Sequence, residues 1–179
     1  MHQARFARLM MALTLLLLSA AVAEDARKAS GNASSPPPAN AAFEKFKSLA
    51  GDWEGKEGDG KAYDTNVRVV SAGSAVMFTA IAEDMITVVY PDGQALMATH
   101  YCSAKNQPRF VAAPSSDSST VTFKFKDVTN LATPESGHMV GVVYTFVDAD
   151  HYTEAWTWRE GGKEQLFTMK LTRKKPATP

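Results

Sequence analysis

Apolar residues between Asp52 and Arg173 recur at every second position, as they do in β-strands that bury one face. Val121, Phe123 and Phe125, for example, alternate with threonine and lysine. Residues typical of turns interrupt this alternation about every eight to twelve residues. The pattern predicts ten strands, at 52–57, 62–70, 75–82, 85–90, 95–102, 109–113, 120–126, 138–147, 151–159 and 164–173.

The connections between these strands are short, which predicts that consecutive strands are antiparallel neighbours. Pro91-Asp92-Gly93 and Gly161-Gly162 are two of the turn sequences, and no helical period interrupts the series. A meander of ten strands leaves two open edges unless the sheet closes on itself. We therefore predict an all-β fold, a closed antiparallel β-barrel in which Phe125 and Leu171 point inward.

One short helix is predicted before the first strand, at 41–49. Phe43, Phe46 and Leu49 fall three residues apart and form one apolar stripe. Asn40 stands where a side-chain cap would begin the helix. We expect this helix to plug one end of the barrel.

The first and last strands carry a pair of residues that closure would bring together. Trp53 follows Gly51 at the start of the first strand, and Arg173 ends the last strand on the same parity as Met169 and Leu171. A charged residue on an apolar face needs a cover, and stacking of Arg173 on the Trp53 ring would supply one worth about 1 kcal/mol.

A Gly-x-Trp in the first strand, answered by an arginine in the last, resembles the calycin pattern of lipocalins and fatty-acid-binding proteins. Gly51, Trp53 and Arg173 carry that likeness, and their expected role is structural. The domain as a whole resembles a family of bacterial secreted lipocalin-like domains of unknown function. The stretches that carry this second likeness are 99–102, 106–109, 137–139 and 154–158. The resemblance implies a barrel with an interior cavity, and it offers no function to transfer.

The N-terminal residues predict an export signal and a tether. Residues 1–23 combine a basic start, an apolar run at 9–21 and the cleavage pattern Ala21-Val22-Ala23. The apolar run is too short to span a bilayer, so we expect cleavage near Ala23 and no stable membrane anchor. Residues 24–40, rich in Ala, Ser and Pro, read as a disordered linker. The barrel domain is placed at 41–175, with a tail at 176–179, in a secreted or periplasmic protein.

Charge and cysteine content narrow the classes of partner. The chain has 19 basic and 19 acidic residues, and loss of Arg5 and Arg8 with the signal leaves a net charge of about −2. This balance gives no reason to expect a nucleic acid or an anionic membrane as partner. Cys102 is the only cysteine, which excludes an internal disulfide framework. The sequence does not define an oligomeric state.

Several polar residues share the parity of apolar neighbours and are therefore predicted to face the interior. An apolar pocket with a few polar groups is the usual composition of a small-molecule site. We predict that the barrel binds a small apolar or amphipathic molecule, oriented by His100, His138 and Glu154. The residues predicted to contact this ligand are His100, Cys102, Phe123, His138, Tyr144, Glu154 and Trp156.

Three alternatives remain open at this stage. A haem or metal held by His100 or His138 is one, because barrels of the nitrobindin type bind haem, although the spacing of these residues gives no metal-ligand signature. An enzyme is another, with His100 as base or Cys102 as nucleophile, two residues apart on one strand face. The third is a filled barrel whose outer face binds a protein.

Overall fold

The computed structural model describes residues 38–115 and 117–175. Within them lie one α-helix and ten strands, as the alternation predicts. The export signal, most of the linker and the tail at 176–179 fall outside the described residues. The elements are α1 (Pro38–Ser48), β1 (Gly51–Glu57), β2 (Ala62–Val70), β3 (Ala75–Ala80), β4 (Met85–Asp92), β5 (Ala95–Tyr101), β6 (Gln107–Ala112), β7 (Thr120–Thr129), β8 (His138–Phe146), β9 (His151–Glu160) and β10 (Lys163–Arg173).

The helix begins earlier than predicted. Its first residue is Pro38, so Asn40 lies in the first turn and is not the cap. A proline is tolerated there because the first N–H groups of a helix have no partner within it. Of the described residues, no helical segment is long and apolar enough to cross a membrane.

The ten strands form one closed antiparallel barrel in which each strand pairs with its neighbours in sequence, and β1 closes on β10. The closure confirms the predicted fold class. At the seam Trp53 pairs with Arg173 and Gly55 with Leu171. A Cβ on Gly55 would overlap the carbonyl oxygen of Lys170, so the two strands approach more closely here than any other residue type allows.

One end of the barrel is filled by α1. Phe46 is fully buried, and its ring packs edge-on against Tyr144 at 5.0 Å and against Phe146 at 5.2 Å. The rings of Phe78 and Phe123 lie 6.1 and 5.9 Å away. The helix therefore contributes a side chain to the centre of an aromatic cluster drawn from three strands, β3, β7 and β8.

The predicted contact between Trp53 and Arg173 is present, and the Arg173 side chain also makes hydrogen bonds. The guanidinium lies 4.2 Å from the Trp53 ring centroid. It also donates hydrogen bonds to the carbonyls of Ala50 (2.8 Å), Ser48 (3.0 Å) and Ala149 (3.0 Å). Arg173 thus satisfies carbonyls at the end of α1 that the helix itself leaves free.

Leu171 is buried as predicted, but Phe125 is 38% exposed. Arg109 pairs with Asp127 and Phe110 with Phe125, so Lys126 is an extra residue that bulges from β7. In addition, β8 pairs with β7 only as far as Lys124. Phe125 therefore lies beyond the last pair with β8, where one flank of the strand is open.

Candidate functional site

A cavity of about 290 Å³ opens at the end of the barrel opposite α1. The positions of its lining residues show which end this is. Glu57 ends β1, Met85 begins β4 and Cys102 follows β5 directly, whereas α1 leads into the opposite end of β1. Binding pockets for small molecules span roughly 300–1,000 Å³, so this cavity lies just below the lower limit of that range.

Glu154 is a fully enclosed carboxyl group on the cavity wall. Residues two apart on a strand share a face, and this spacing places Tyr152 and Trp156 beside it. The Tyr152 hydroxyl donates to Oε1 at 3.1 Å, and Trp156 Nε1 donates to Oε2 at 2.8 Å. Burial raises the pKa of Glu154 from 4.5 to about 7, although both hydrogen bonds favour the charged form and oppose that rise.

His100 lies on β5 opposite Thr87 of β4 and is also buried. Its Nδ1 is hydrogen-bonded to Thr87 Oγ1 at 2.9 Å, and its ring packs at 4.8 Å from that of Trp156. The other ring nitrogen, Nε2, is buried without a partner. Burial lowers the pKa of His100 from 6.5 to about 4, so the imidazole is neutral at neutral pH.

Two further carboxylates line the cavity, Glu57 at the end of β1 and Glu83 in the turn after β3. Lys61 Nζ binds Glu83 Oε1 at 2.8 Å from outside the lining. Glu83 Oε2 is buried without a hydrogen-bond partner. This part of the cavity thus carries acceptor capacity that the described residues leave unused.

Five aromatic rings also line the wall, together with the side chains of Met85, Met139 and Met169. The rings are those of Tyr63, Phe78, Trp156, Trp158 and Phe167. Burial raises the pKa of the Tyr63 phenol well above its ordinary value, so the hydroxyl stays neutral. A Cβ on Gly137 would overlap the Trp158 indole, which shows that the loop before β8 packs directly on that ring.

Four of the seven predicted ligand contacts line this cavity, namely His100, Cys102, Glu154 and Trp156. The other three, Phe123, His138 and Tyr144, lie outside its lining. Phe123 and Tyr144 pack against Phe46 at the helix end. His138 Nδ1 donates to the Ser136 carbonyl at 2.8 Å, and its ring faces Phe125. Alternation assigns a side chain to the interior but does not say which end of the barrel it reaches.

Several lining residues were not predicted as site residues. Glu57 shares the parity of Trp53, and Tyr63 shares that of Thr65 and Val67, so alternation carried a signal for both. Glu83 lies in a turn, where no periodicity exists to place it. Whether its side chain reaches the cavity depends on how β3 pairs with β4, and the sequence pattern alone does not determine that pairing.

A second depression, of about 490 Å³, lies beside α1, between the helix and residues of β5, β6 and β7. Short side chains such as Ala39, Ala42, Ala95 and Ala112 make up much of its wall. Among residues 38–115 and 117–175, no group of three or more His, Cys, Asp or Glu side chains converges as metal ligands. The barrel cavity, which has the buried polar side chains of His100 and Glu154 on its wall, is the candidate site.

Comparison with known proteins supports the fold. No family model matches the sequence, and no curated protein is similar to it. The crystal structure of Rv2717c from M. tuberculosis is similar, with a TM-score of 0.53 at 11% identity. The alignment covers 75% of this chain and 98% of that one. At this identity the likeness concerns the fold alone, and with the closed ten-strand barrel it fits a calycin-like fold.

Proposed function

We propose that this chain is a small-molecule-binding β-barrel that holds its ligand at the end opposite α1. The observation that carries the proposal is the cavity of about 290 Å³ in the barrel interior, with the buried side chains of His100 and Glu154 on its wall. A core that needed only stability would close such a space, because unfilled volume costs packing energy. Its wall combines aromatic rings with a few enclosed polar groups, as ligand sites do.

The size and lining set limits on the ligand. An interior of this volume takes a compact molecule, and the rings of Trp156, Trp158 and Phe167 favour one with an apolar or aromatic body. Glu154 and His100 would orient its polar end. These two residues are the part of the predicted orienting set that the cavity retains.

Benzyl alcohol, an uncharged aromatic probe, tests the binding function directly. Calorimetric titration into the full chain should show saturable binding, together with a change in the fluorescence of the lining tryptophans. Ala80 is buried and lines the cavity, so Ala80→Leu should fill space and weaken binding about tenfold or more. Ala62→Leu, at an exposed position outside the lining, is the matched control and should bind as the unaltered chain does.

Haem does not fit the described site. The unpartnered His100 Nε2 has the chemistry of an axial ligand, but the His100 ring is packed against Trp156. A porphyrin is also larger than the cavity. His138, the other predicted ligand, is outside the cavity lining. Titration with haem should give no Soret shift that depends on His100, and a shift lost in His100→Ala would reverse this conclusion.

The geometry also gives little support to an enzyme using Cys102. Both Cys102 and His100 line the cavity, yet among the described residues no hydrogen bond joins the Cys102 thiol to the imidazole. With its pKa near 4, His100 stays neutral at neutral pH and provides no imidazolium to stabilise a thiolate. The rate at which iodoacetamide alkylates Cys102 should be the same in the unaltered chain and in His100→Gln.

Export belongs to the same proposal. The basic start, the apolar run at 9–21 and the Ala21-Val22-Ala23 pattern support removal of the first 23 residues. Mass spectrometry of the protein recovered outside the cytoplasm of its host should give a chain that begins at Glu24. Ala23→Arg should block the cleavage and leave the longer chain, whereas the same longer chain from the unaltered sequence would contradict export by this route.

A further inference from the structure

The cavity carries carboxyl groups and no positive side chain. Glu57, Glu83 and Glu154 line it, and none of its lining residues is a lysine or an arginine. His100, the one basic side chain present, is neutral under ordinary conditions. A fatty acid or another organic anion would therefore meet the acids Glu57, Glu83 and Glu154, and Lys61, which binds Glu83 from outside the lining, is the one cation beside them, which is unfavourable for an anion in an enclosed site.

Glu154 lacks a charged partner of its own. Both its oxygens accept hydrogen bonds, but the donors are the neutral Tyr152 hydroxyl and the neutral Trp156 indole. A buried carboxylate is normally stabilised by a cation, and none is supplied by the described residues around it. The cavity beside Glu154 is the place from which a ligand could supply one.

The aromatic rings of the wall also favour a positively charged ligand. The face of an aromatic ring carries negative charge, and an ammonium group within about 6 Å of the ring centroid is attracted to it. Trp156 joins the two features, because its indole N–H binds Glu154 while its ring lines the cavity. At the mouth, Glu83 Oε2 is buried and unpartnered even though Lys61 binds the other oxygen.

From the carboxyl groups, the missing counter-ion and the aromatic wall, we propose that the barrel selects a small organic cation, an amine with an apolar or aromatic body. This inference rests on the proposed binding function and names the class of its ligand. The ammonium group binds beside Glu154, and the apolar body lies between the rings of Trp156, Trp158 and Phe167. Glu83 and Glu57 favour entry of the cation at the mouth.

Binding of a cation is coupled to loss of the Glu154 proton. The groups that face Glu154 from other elements are Tyr63 of β2 and Tyr144 of β8, and burial raises the pKa of both phenols well above the ordinary value. Tyr152 of its own strand behaves in the same way. His100 of β5 stays neutral down to about pH 4, and Glu57 and Glu83 are the remaining acids. A cation should therefore bind about tenfold more weakly at pH 6 than at pH 8, because below about pH 7 Glu154 must first lose a proton.

Three probes of nearly the same shape separate charge from fit: benzylammonium, benzyl alcohol and benzoate. Calorimetric titration of the full chain at pH 8 should give an affinity for benzylammonium at least about tenfold above that for benzyl alcohol, and no binding of benzoate. Repeating the benzylammonium titration in buffers of different ionisation enthalpy should show proton release near pH 7, where Glu154 titrates.

Glu154→Gln keeps the shape of the side chain and removes its charge. This variant should bind benzylammonium and benzyl alcohol within about threefold of each other and should lose the pH dependence. Glu83→Gln, which leaves the enclosed carboxyl group in place, should weaken benzylammonium binding about twofold to threefold and leave benzyl alcohol unaffected. Glu160→Gln, at an exposed position on the same strand as Glu154, is the matched control and should leave both affinities unchanged.

The outcomes separate the two levels of the proposal. If benzyl alcohol binds as tightly as benzylammonium, or if benzoate binds best, the cavity takes small molecules but the inference of a cation is wrong. If none of the three probes binds, the proposed binding function fails and the inference fails with it. A charge preference that survives Glu154→Gln and Glu83→Gln would also overturn the inference, since the cation would then be recognised elsewhere.

Discussion

The two ends of this barrel are built from the same ten strands and have opposite interiors. At the helix end Phe46 packs among the rings of Phe78, Phe123, Tyr144 and Phe146. At the open end the strands enclose a cavity of about 290 Å³ with three carboxyl groups on its wall. Strand alternation is common to both ends, so it does not determine which end is filled.

The difference comes from what enters the barrel. The filled end receives a side chain from α1, and Arg173 fixes the end of that helix by bonding to the Ser48 and Ala50 carbonyls. No such element covers the other end within the described residues, and polar side chains occupy the inward positions there. Stability is therefore expected to reside mainly at the helix end and ligand recognition at the open end.

The sharpest test of this division is truncation of one ring at each end. Phe46→Ala should lower the free energy of unfolding by about 3–5 kcal/mol, since it removes a fully buried ring from the centre of a cluster. Phe167→Ala, at a half-buried position that lines the cavity, should cost only about 1 kcal/mol. Urea denaturation followed by circular dichroism gives both values. Equal losses would show that the open end is as tightly packed as the helix end.

The next largest effect is the dependence of stability on pH at the open end. Glu154, whose pKa rises on folding, stabilises the fold fully below about pH 4.5, and that stabilisation is lost as the pH rises to about 7. His100, whose pKa falls on folding, stabilises the fold above pH 6.5, and that stabilisation is lost as the pH falls to about 4. Each change is on the order of 3 kcal/mol, and the two oppose each other between pH 4.5 and 6.5.

Single substitutions should separate these two opposed contributions. Relative to the unaltered chain, Glu154→Gln should become more stable as the pH rises from 4.5 to 7, and His100→Gln should become less stable as the pH rises from 4 to 6.5. Urea denaturation at half-unit pH steps measures both differences. Parallel curves for the variants and the unaltered chain would mean that neither group is as enclosed as the structure shows. Helix-end variants such as Phe46→Leu should leave the shape of the pH curve unchanged.

The smallest of the three effects concerns the seam that both ends share. Gly55→Ala should destabilise the fold by about 2 kcal/mol, because the added methyl group meets the Lys170 carbonyl and forces β1 away from β10. Gly58→Ala is the matched control, since its Cβ would meet nothing within 4 Å. Its free energy of unfolding in the same experiment should stay within about 0.5 kcal/mol of that of the unaltered chain. An equal effect at both glycines would contradict the close approach at the seam.

The fold was accessible from the sequence because it follows from local patterns. Alternation and turn residues predict the ten strands, and Trp53 and Arg173 predict the closure that the β1–β10 register confirms. Boundaries were less accurate, since turn residues such as Pro91 and Asp92 continue β4 beyond its predicted end. Phe125 was placed wrongly because a bulge at Lys126 and the short pairing with β8 leave no trace in the alternation.

The site was accessible only in part. Parity placed His100, Glu154 and Trp156 in the interior, and the structure brings them together in one cavity. Tyr144 and Phe123 have the same parity signal but lie where Phe46 enters, and only the docking of α1 separates the two groups. Glu83 was missed for a different reason. It lies in the turn between β3 and β4, where no alternation indicates which way a side chain points.

The bonds of Arg173 have a consequence for how the protein is made. The residue that holds the end of α1 stands 123 positions after Ala50, whose carbonyl it binds. During translation the helix and β1 therefore leave the ribosome long before the strand that completes them. Contacts between such distant positions form slowly because a long loop must close first. Until β10 emerges, both β1 and β9 present unpaired backbone edges, and aggregation of the nascent chain is the hazard of that interval.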